Sequence, residues 1–597
     1  MLRGRWKTMR GAQWTSVVLL AMAVLLIAGT SAQATQKFGP LELSGNLQSQ
    51  QLVRHPDIDE YQFIQQRNTV HIRVDWNWKD KHGKWLDRFD VPWVESSHFF
   101  LLYRGAYDSV YDTLPDVSTD RDFQGLKTDK RFNDIDDLDR TQRDGAKFEN
   151  VLRELYVDVK FKIPLTLRLG RQQIIWGESD GFRMLDRANS LDLTWHQFQE
   201  LGGLNFGFDE LRRPFWMAKA IYDFGRVATF SNVFVEAYWN PGDWEPNKIR
   251  FLPHPWGIKI ANPLTNPRDG AYFFPQRAER LMNGSKLFKQ GDYSKNPMEN
   301  SQFGIRFNVV TGADTPVLPA GIQFQLGYLY QRFTQTGGVS SSAAPARGLK
   351  PTLQGQIESA RLVQNGTLPV EFYAPYIHTI GLASNYFHEW SSTVFRLETA
   401  YDFGLPFFSC GSKPETIAQQ DRCTRESTFA PFLPGIRNQD VWSGLFAFDR
   451  PTWIRFLNNK STFFFTGQFF WNYLINKHDS VIGALDLPTV SRPLNQDPAV
   501  AYRDDVREWE MLFTAAIFGF YKGGSVIPAF LYILDPVNDY SQEVVWGVDY
   551  YITPNFAVNL AQRFIINPKR QLNFEPWGLG GLNRGRSETG LRFTYQF

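Results

Sequence analysis

The sequence predicts an all-β fold, a transmembrane antiparallel outer-membrane β-barrel of about 18 strands (16–18) with long extracellular loops. Three observations carry this reading. The last ten residues alternate strictly between an apolar and a polar face and end in Phe597. Other segments repeat that period of two over lengths near ten residues. The connections between them alternate between long and short, as barrel strands require.

The C-terminal segment is the clearest. Thr589, Leu591, Phe593, Tyr595 and Phe597 share one face, while Glu588, Gly590, Arg592, Thr594 and Gln596 share the other. Ten residues also match the length of a tilted membrane-spanning strand. Phe593, Tyr595 and Phe597 form the terminal pattern that barrel-assembly machinery reads in bacterial outer-membrane barrels, which this segment resembles. Val70, Ile72, Val74, Trp76 and Trp78 alternate with His71, Arg73, Asp75 and Asn77. Leu155, Val157, Val159 and Phe161 alternate with Glu154, Tyr156, Asp158 and Lys160, and Phe395, Leu397, Thr399, Tyr401 and Phe403 with Arg396, Glu398 and Asp402. A soluble sandwich also alternates. Strand length and the gathering of aromatics at strand ends favour the barrel.

The segments read as strands are 41–47, 68–78, 98–108, 151–162, 164–171, 214–224, 228–240, 302–310, 320–333, 377–387, 392–403, 438–449, 461–474, 509–521, 525–534, 543–552, 556–566 and 587–597. With a periplasmic C-terminus, connections 109–150, 172–213, 241–301, 334–376, 404–437 and 475–508 fall outside. Lys162-Ile163-Pro164, Gly225-Arg226, Lys522-Gly523-Gly524 and Thr553-Pro554-Asn555 form inner turns. The connection 79–97 is long for an inner turn. The alternation requires a strand at 438–449, where Val441, Leu445 and Phe448 fit. An even count returns the N-terminus to the periplasm.

Residues 1–34 read as a signal peptide. Arg3, Arg5, Lys7 and Arg10 form its positive region, Val17 to Ile27 its apolar run, and Ala32-Gln33-Ala34 its cleavage pattern. The alternative, a membrane anchor, needs about 20 apolar residues. The mature chain, 35–597, then forms a single barrel domain located in the cell outer membrane. Beyond residue 34 no 18-residue window is uncharged and continuously apolar, so no spanning helix is predicted.

Composition excludes other classes. A net charge of +2 argues against a nucleic-acid binder, and a mean hydropathy of −0.35 against a bundle of membrane helices. Two cysteines exclude a disulfide scaffold or a Cys-rich metal module. Cys410 and Cys423 are expected to form one loop disulfide rather than two free thiols. Aromatics at 15% are in excess for so polar a chain.

No HExxH or GxxxxGK[ST] motif occurs and the histidines are scattered, so no enzyme, cofactor or metal is expected. The acidic stretch 112–144 fails as an EF-hand: from Asp134, the sixth position is Asp139 and the twelfth Gly145. Inward charges of both signs include Arg73, Arg168, Lys219, Arg306, Arg396, Arg563 and Arg592 against Asp75, Asp158, Glu236, Glu398, Asp402 and Asp549. Mixed signs favour a structural salt-bridge mesh over a selectivity lining.

The connection 172–213 is unusual for an outer loop, carrying Trp176, Phe182, Leu191, Trp195, Phe198 and Phe206. Such a loop either folds into the lumen as a constriction or caps the rim. On the first reading, Trp176, Glu178, Asp180 and Arg183 join Arg73, Asp75, Arg306, Arg396, Glu398 and Arg592 as pore or constriction residues.

Here a family resemblance appears. Leu169-Gly170-Arg171-Gln172, Trp176-Gly177-Glu178-Ser179, Asn189-Ser190-Leu191-Asp192-Leu193-Thr194-Trp195 and Asp209-Glu210-Leu211-Arg212 resemble the uncharacterised Gram-negative outer-membrane family catalogued as domain of unknown function 1302. Asn189 is followed by Ser190 where that family tends to have proline. The resemblance implies a barrel and the company of inner-membrane exporters of the resistance-nodulation type. The expected function is a porin-like channel for a small or amphiphilic solute, gated or narrowed by the in-folded loop. The alternative is a plugged scaffold barrel, an outer-membrane partner of an export, lipid-transfer or electron-transfer complex. Expected partners are outer-membrane lipid and lipopolysaccharide, the barrel-assembly machinery, and periplasmic or inner-membrane exporter components, with no nucleic acid.

Overall fold

A computed structural model describes residues 35–55, 62–79, 91–110, 147–180, 183–192, 210–244, 300–333, 374–409, 435–482, 507–537, 540–566 and 587–597, with short pieces between 346 and 372. The leader 1–34, the acidic stretch 112–144, Cys410 and Cys423 lie outside the described residues.

Eighteen strands form one antiparallel barrel. They are β1 (Leu41–Arg54), β2 (Gln62–Lys79), β3 (Val94–Asp108), β4 (Phe148–Phe161), β5 (Leu165–Gln172) and β6 (Phe215–Val227). Next come β7 (Phe230–Asn240), β8 (Gln302–Thr311), β9 (Gln323–Arg332), β10 (Tyr376–His388), β11 (Thr393–Ser409) and β12 (Gly435–Thr452). The last are β13 (Phe463–Leu474), β14 (Trp509–Phe518), β15 (Val526–Asp535), β16 (Ser541–Thr553), β17 (Phe556–Ile566) and β18 (Glu588–Gln596). Each pairs with the next, and β18 returns to β1 with Asn46 opposite Gln596 and Arg54 opposite Glu588. The sheet therefore has no free edge. A short strand, Thr35–Phe38, folds back on β1.

The eighteen predicted segments and the eighteen strands correspond in order. Boundaries differ by up to seven residues, β2 beginning at Gln62 and not at 68, and three of the differences have a clear local reason. β1 runs on to Arg54, well past 47, because Ser49 and Gln51 interrupt the apolar face while the backbone keeps pairing. The turn expected at Gly225-Arg226 lies instead at Ala228-Thr229. Gly225, at φ +65°, makes a bulge that lets β6 continue. In the same way Gly404, at φ +70°, carries β11 past Phe403, with its N–H donated to Asp440 Oδ1 at 2.9 Å. The long connection 79–97 contracts to 80–93, and Lys79 Nζ donates to Val91 O at 2.9 Å beside its end.

Side chains follow the pleat. Along β10, Ile377, Thr379, Gly381 and Ala383 are turned in and buried, while His378, Ile380 and Leu382 face outward. Outward Phe446, Phe513, Phe530, Trp546 and Leu560 leave an apolar surface around the barrel. Aromatic pairs gather at both ends. Trp442 packs edge-on to Trp509 at 6.3 Å at the long-loop end, and Trp93 stacks on Phe161 at 5.5 Å at the short-turn end. In β12 and the turn after it, the exposed Trp442 and Trp453 are about 11 residues apart, roughly 25–30 Å of tilted strand.

Phe593 is outward and Phe597 is buried, its backbone exchanging two hydrogen bonds with Gly45 at 2.9 and 3.0 Å. At the other end of this seam Arg54 and Glu588 form a fully buried ion pair. Arg54→Met should leave the Glu588 carboxylate without that partner, a cost of about 3–5 kcal/mol. The expected outcome is a lower temperature for the folded-to-unfolded band shift on electrophoresis, and an unchanged transition would contradict it.

Candidate functional site

The described part of the β5–β6 connection, from Gln173 to Leu191, runs along the inner wall of the barrel. Its neck is tied by one side chain. Asn189 accepts the Ile174 N–H at 2.8 Å and donates to Arg213 O at 2.8 Å and to Gln172 O at 3.3 Å, joining both limbs. The Arg213 N–H to Ser190 O bond, at 2.8 Å, adds a second tie.

From this neck the chain descends along β7 to β11. The Trp176 indole N–H donates to Glu236 Oε1 at 3.1 Å, and its ring meets Tyr238 edge-on at 5.2 Å. The Arg306 guanidinium lies 5.2 Å from the Trp176 ring and bonds Glu236 Oε2 at 2.7 Å. Glu178 Oε1 accepts from Gln325 at 3.2 Å and from Asn385 at 3.1 Å. Arg396 binds both oxygens of Asp180, at 3.0 and 2.6 Å, and the Glu178 carbonyl at 2.5 Å. Gln468, on β13, donates to Asp180 Oδ2 at 2.5 Å.

Glu398 holds the two limbs together at the wall. Its side chain is completely buried, and its two oxygens accept the backbone N–H groups of Glu178 and Leu185, both at 2.6 Å. Loop backbone inside a barrel has no strand partner, so a carboxylate offering two acceptors satisfies two donors at once. A second anchor is the buried pair Arg187–Asp402, at 2.6 and 2.7 Å, with Thr379 Oγ1 donating to the same carboxylate at 2.6 Å. Arg183 is also buried. Burial pulls its guanidinium down to about 10 while Asp186 opposes that shift, so it stays cationic at neutral pH. It donates to the Asn189 carbonyl at 2.5 Å and to the Asp186 carbonyl, and Arg212 donates to the Asp186 carboxylate at 2.7 Å.

Glycines in the wall make the seats. A Cβ at Gly381 would stand 2.1 Å from Leu185 Cδ2, and one at Gly304 would stand 2.9 Å from the Trp176 ring. Gly177, at φ +99°, approaches so closely that a Cβ would meet both Glu398 oxygens at 2.7 Å. Beyond these contacts Met184 reaches the adjoining wall, where it clusters with residues of β12 to β16, beginning at Leu445 opposite Glu398.

The structure thus places Trp176, Glu178, Asp180 and Arg183 in one constellation with Arg306, Arg396 and Glu398. Arg73 and Asp75 lie elsewhere. Arg73 Nε bonds Asp75 Oδ2 at 2.5 Å, and His98 Nε2 lies 3.2 Å from Asp75 Oδ1. Arg592 is also apart, bonding Asn559 at 3.1 Å. Phe182, Trp195, Phe198 and Phe206 lie outside the described residues. Among the other inward charges, Arg168 pairs with Asp158 and Arg563 with Glu543, at 2.7 and 2.6 Å. Arg187, Asn189, Met184, Gly304 and Gly381 are contributors that sequence reasoning did not single out as site residues. Arg187 and Asn189 sit inside the unusual stretch, whereas no local signal marks two wall glycines as seats.

The family described as "Protein of unknown function (DUF1302)" matches residues 58–595. No curated protein matches. Among solved structures the chain is similar to OccK8 (OprE) of Pseudomonas aeruginosa, at 8% identity over 93% of this chain and 97% of that one, TM-score 0.38. It is also similar to OccAB2 of Acinetobacter baumannii, at 9% identity over 94% and 99%, TM-score 0.38. A BenF-like porin from Pseudomonas fluorescens Pf-5 matches at 7% identity over 93% and 98%, TM-score 0.39.

Glu398→Ala should orphan the Glu178 and Leu185 amides, at about 1–3 kcal/mol each. Hydrogen exchange at those two amides is expected to accelerate by roughly tenfold or more, with exchange in β1 and β18 unchanged. Gly381→Leu should have the same local effect by excluding Leu185. Exchange at wild-type rates in both variants would refute the seating described above.

Proposed function

This chain belongs to the DUF1302 family, and we propose that it is an outer-membrane channel of porin-like type whose lumen is narrowed by the segment 173–191. One observation carries the reading. That segment is fastened to the inner wall from β7 to β13, yet the Asp180 and Arg73 side chains inside the barrel remain 58% and 53% exposed. A lumen packed shut around them would bury both. The apolar outer surface, with aromatic pairs at each end, supports insertion in a bilayer. The leader read in 1–34 supports export. Eighteen strands leave room for an aqueous passage beside the loop.

The paired charges limit what the channel does. Arg396 is shared between Asp180 and Asp449, and Arg306 is held by Glu236, so neither sign dominates the narrow region. Such a lining selects weakly among simple ions and acts mainly as the frame that holds the loop.

Purified protein in planar bilayers should give steady single-channel currents. Removing residues 177–206 should raise the unit conductance by roughly twofold or more, because the loop and its bound charges occupy the passage. No current from wild type, with current from the deletion, would favour the plugged scaffold. An equal conductance in both would show that the loop does not constrict the passage.

A further inference from the structure

The inner wall has two unlike halves. From β2 to β11 it carries charges of both signs and the polar seats of the loop. From β12 to β16 its middle is mainly apolar, with Gln468 and Thr514 as polar exceptions: Leu445, Phe470, Leu512, Leu531, Ile533 and Val545 all turn inward and are buried. The register shows that these side chains share one face. Leu445 lies opposite Phe470, Phe470 opposite Leu512, and Leu531 opposite Val545. The outward neighbours Phe446, Phe513, Phe530 and Trp546 are exposed, so β12 to β16 are apolar on both faces. A water-filled lumen gives no reason for such an inner face, since lumen-facing positions of a barrel are ordinarily polar.

What covers this wall includes Met184, the loop side chain that clusters with it. Methionine is flexible and polarizable, and it fills irregular apolar space without fixing it. The charges on β13 to β16 are acidic, and the flanking cations, Arg563 opposite Val545 and Arg396 opposite Ala447, are held by Glu543 and by Asp180 and Asp449. β13 to β16 contain no Lys or Arg, and their inward ionisable residues are Glu510, Asp535, Glu543 and Asp549. Glu543 is paired with Arg563 of the neighbouring β17 and Asp549 with Asn559. An anionic head group beside this wall would meet only acidic neighbours on these strands. A cationic one would not be repelled.

We propose that the β12–β16 wall is a binding site for amphiphiles with an aliphatic or other apolar body and a cationic head, and that Met184 occupies the place of the apolar body when the site is empty. This rests on the reading of the barrel as a channel and names the solute class that it favours. The apolar body lies along Leu445, Phe470, Leu531 and Val545 while the head stays near the acidic margin. The polar half of the lumen, with the docked loop, remains in place.

The test uses the full mature protein in lipid nanodiscs and three probes: octyltrimethylammonium, octanoate and tetramethylammonium. Binding is measured by titration calorimetry, with empty nanodiscs subtracted. Octyltrimethylammonium should bind at least tenfold more tightly than either of the others, since they lack its charge or its tail. Met184→Ala should tighten that binding severalfold by vacating the place of the tail. Met184→Lys should weaken it tenfold or more, and Val545→Thr, a change of nearly equal volume, should weaken it severalfold. Equal binding of octanoate or of tetramethylammonium overturns the proposal, as does octyltrimethylammonium binding that none of the three substitutions alters. The measurement needs no ion current. A barrel that binds as expected but does not conduct overturns the channel reading alone, and one that conducts without this preference overturns the site alone.

Discussion

The ring of backbone hydrogen bonds that β18 closes onto β1 leaves no strand edge unpaired, and the rest of the structure is built on it. In hydrocarbon a free edge would expose donors and acceptors with no water to meet them. Closure also divides side chains by a period of two, one set outside and one inside. The outer set can be chosen for lipid and the inner set for whatever the lumen must hold. Arg54 and Glu588, facing each other across the closing seam, show the inner set reinforcing closure itself.

A chain segment inside such a ring faces the same demand as an edge strand, because the wall's backbone groups are already used. Its amides must find side chains instead. Glu398 takes two of them, Asn189 takes a third, and the carbonyls of Glu178 and Asn189 are met by Arg396 and Arg183. That is a physical reason for so many paired charges on one side of the lumen. They substitute for the missing ladder. Replacing such a carboxylate with an apolar residue removes the loop's partners rather than a filter.

Strand number and order are legible in the sequence because the outward face obeys one solvent along its whole length. Strand ends are less legible. Past the apolar band the pleat continues while its outward residues turn polar, as at Ser49 and Gln51, and glycine bulges at 225 and 404 carry pairing through what read as turns. At 438–449 the signal failed differently. Val441 and Leu445 point in while Phe446 and Phe448 point out, so both faces are apolar and no period is visible. Only the required alternation of connections located that strand. The candidate site divides in the same manner. Trp176, Glu178 and Asp180 announce themselves by an unusual loop composition, whereas Gly381 and Gly304 matter for the side chain they lack. Their partners are far away in sequence, and a missing Cβ has no periodicity.

The two halves of the lumen hold the loop with forces of different kind. On the β7–β11 side it is fixed by directional bonds to buried or half-buried carboxylates and guanidinium groups, which keep their strength only at short range and correct angle. On the β12–β16 side, beyond the single Gln468–Asp180 bond, it rests the Met184 side chain against apolar surface, a contact that is non-directional and tolerates displacement. A solute able to replace Met184 there would restore apolar contact without breaking an ion pair, whereas entry on the other side would require separating Asp180 from Arg396 or Arg187 from Asp402. On the proposed reading, a solute lying along the apolar wall would leave the loop's ion pairs and seats intact.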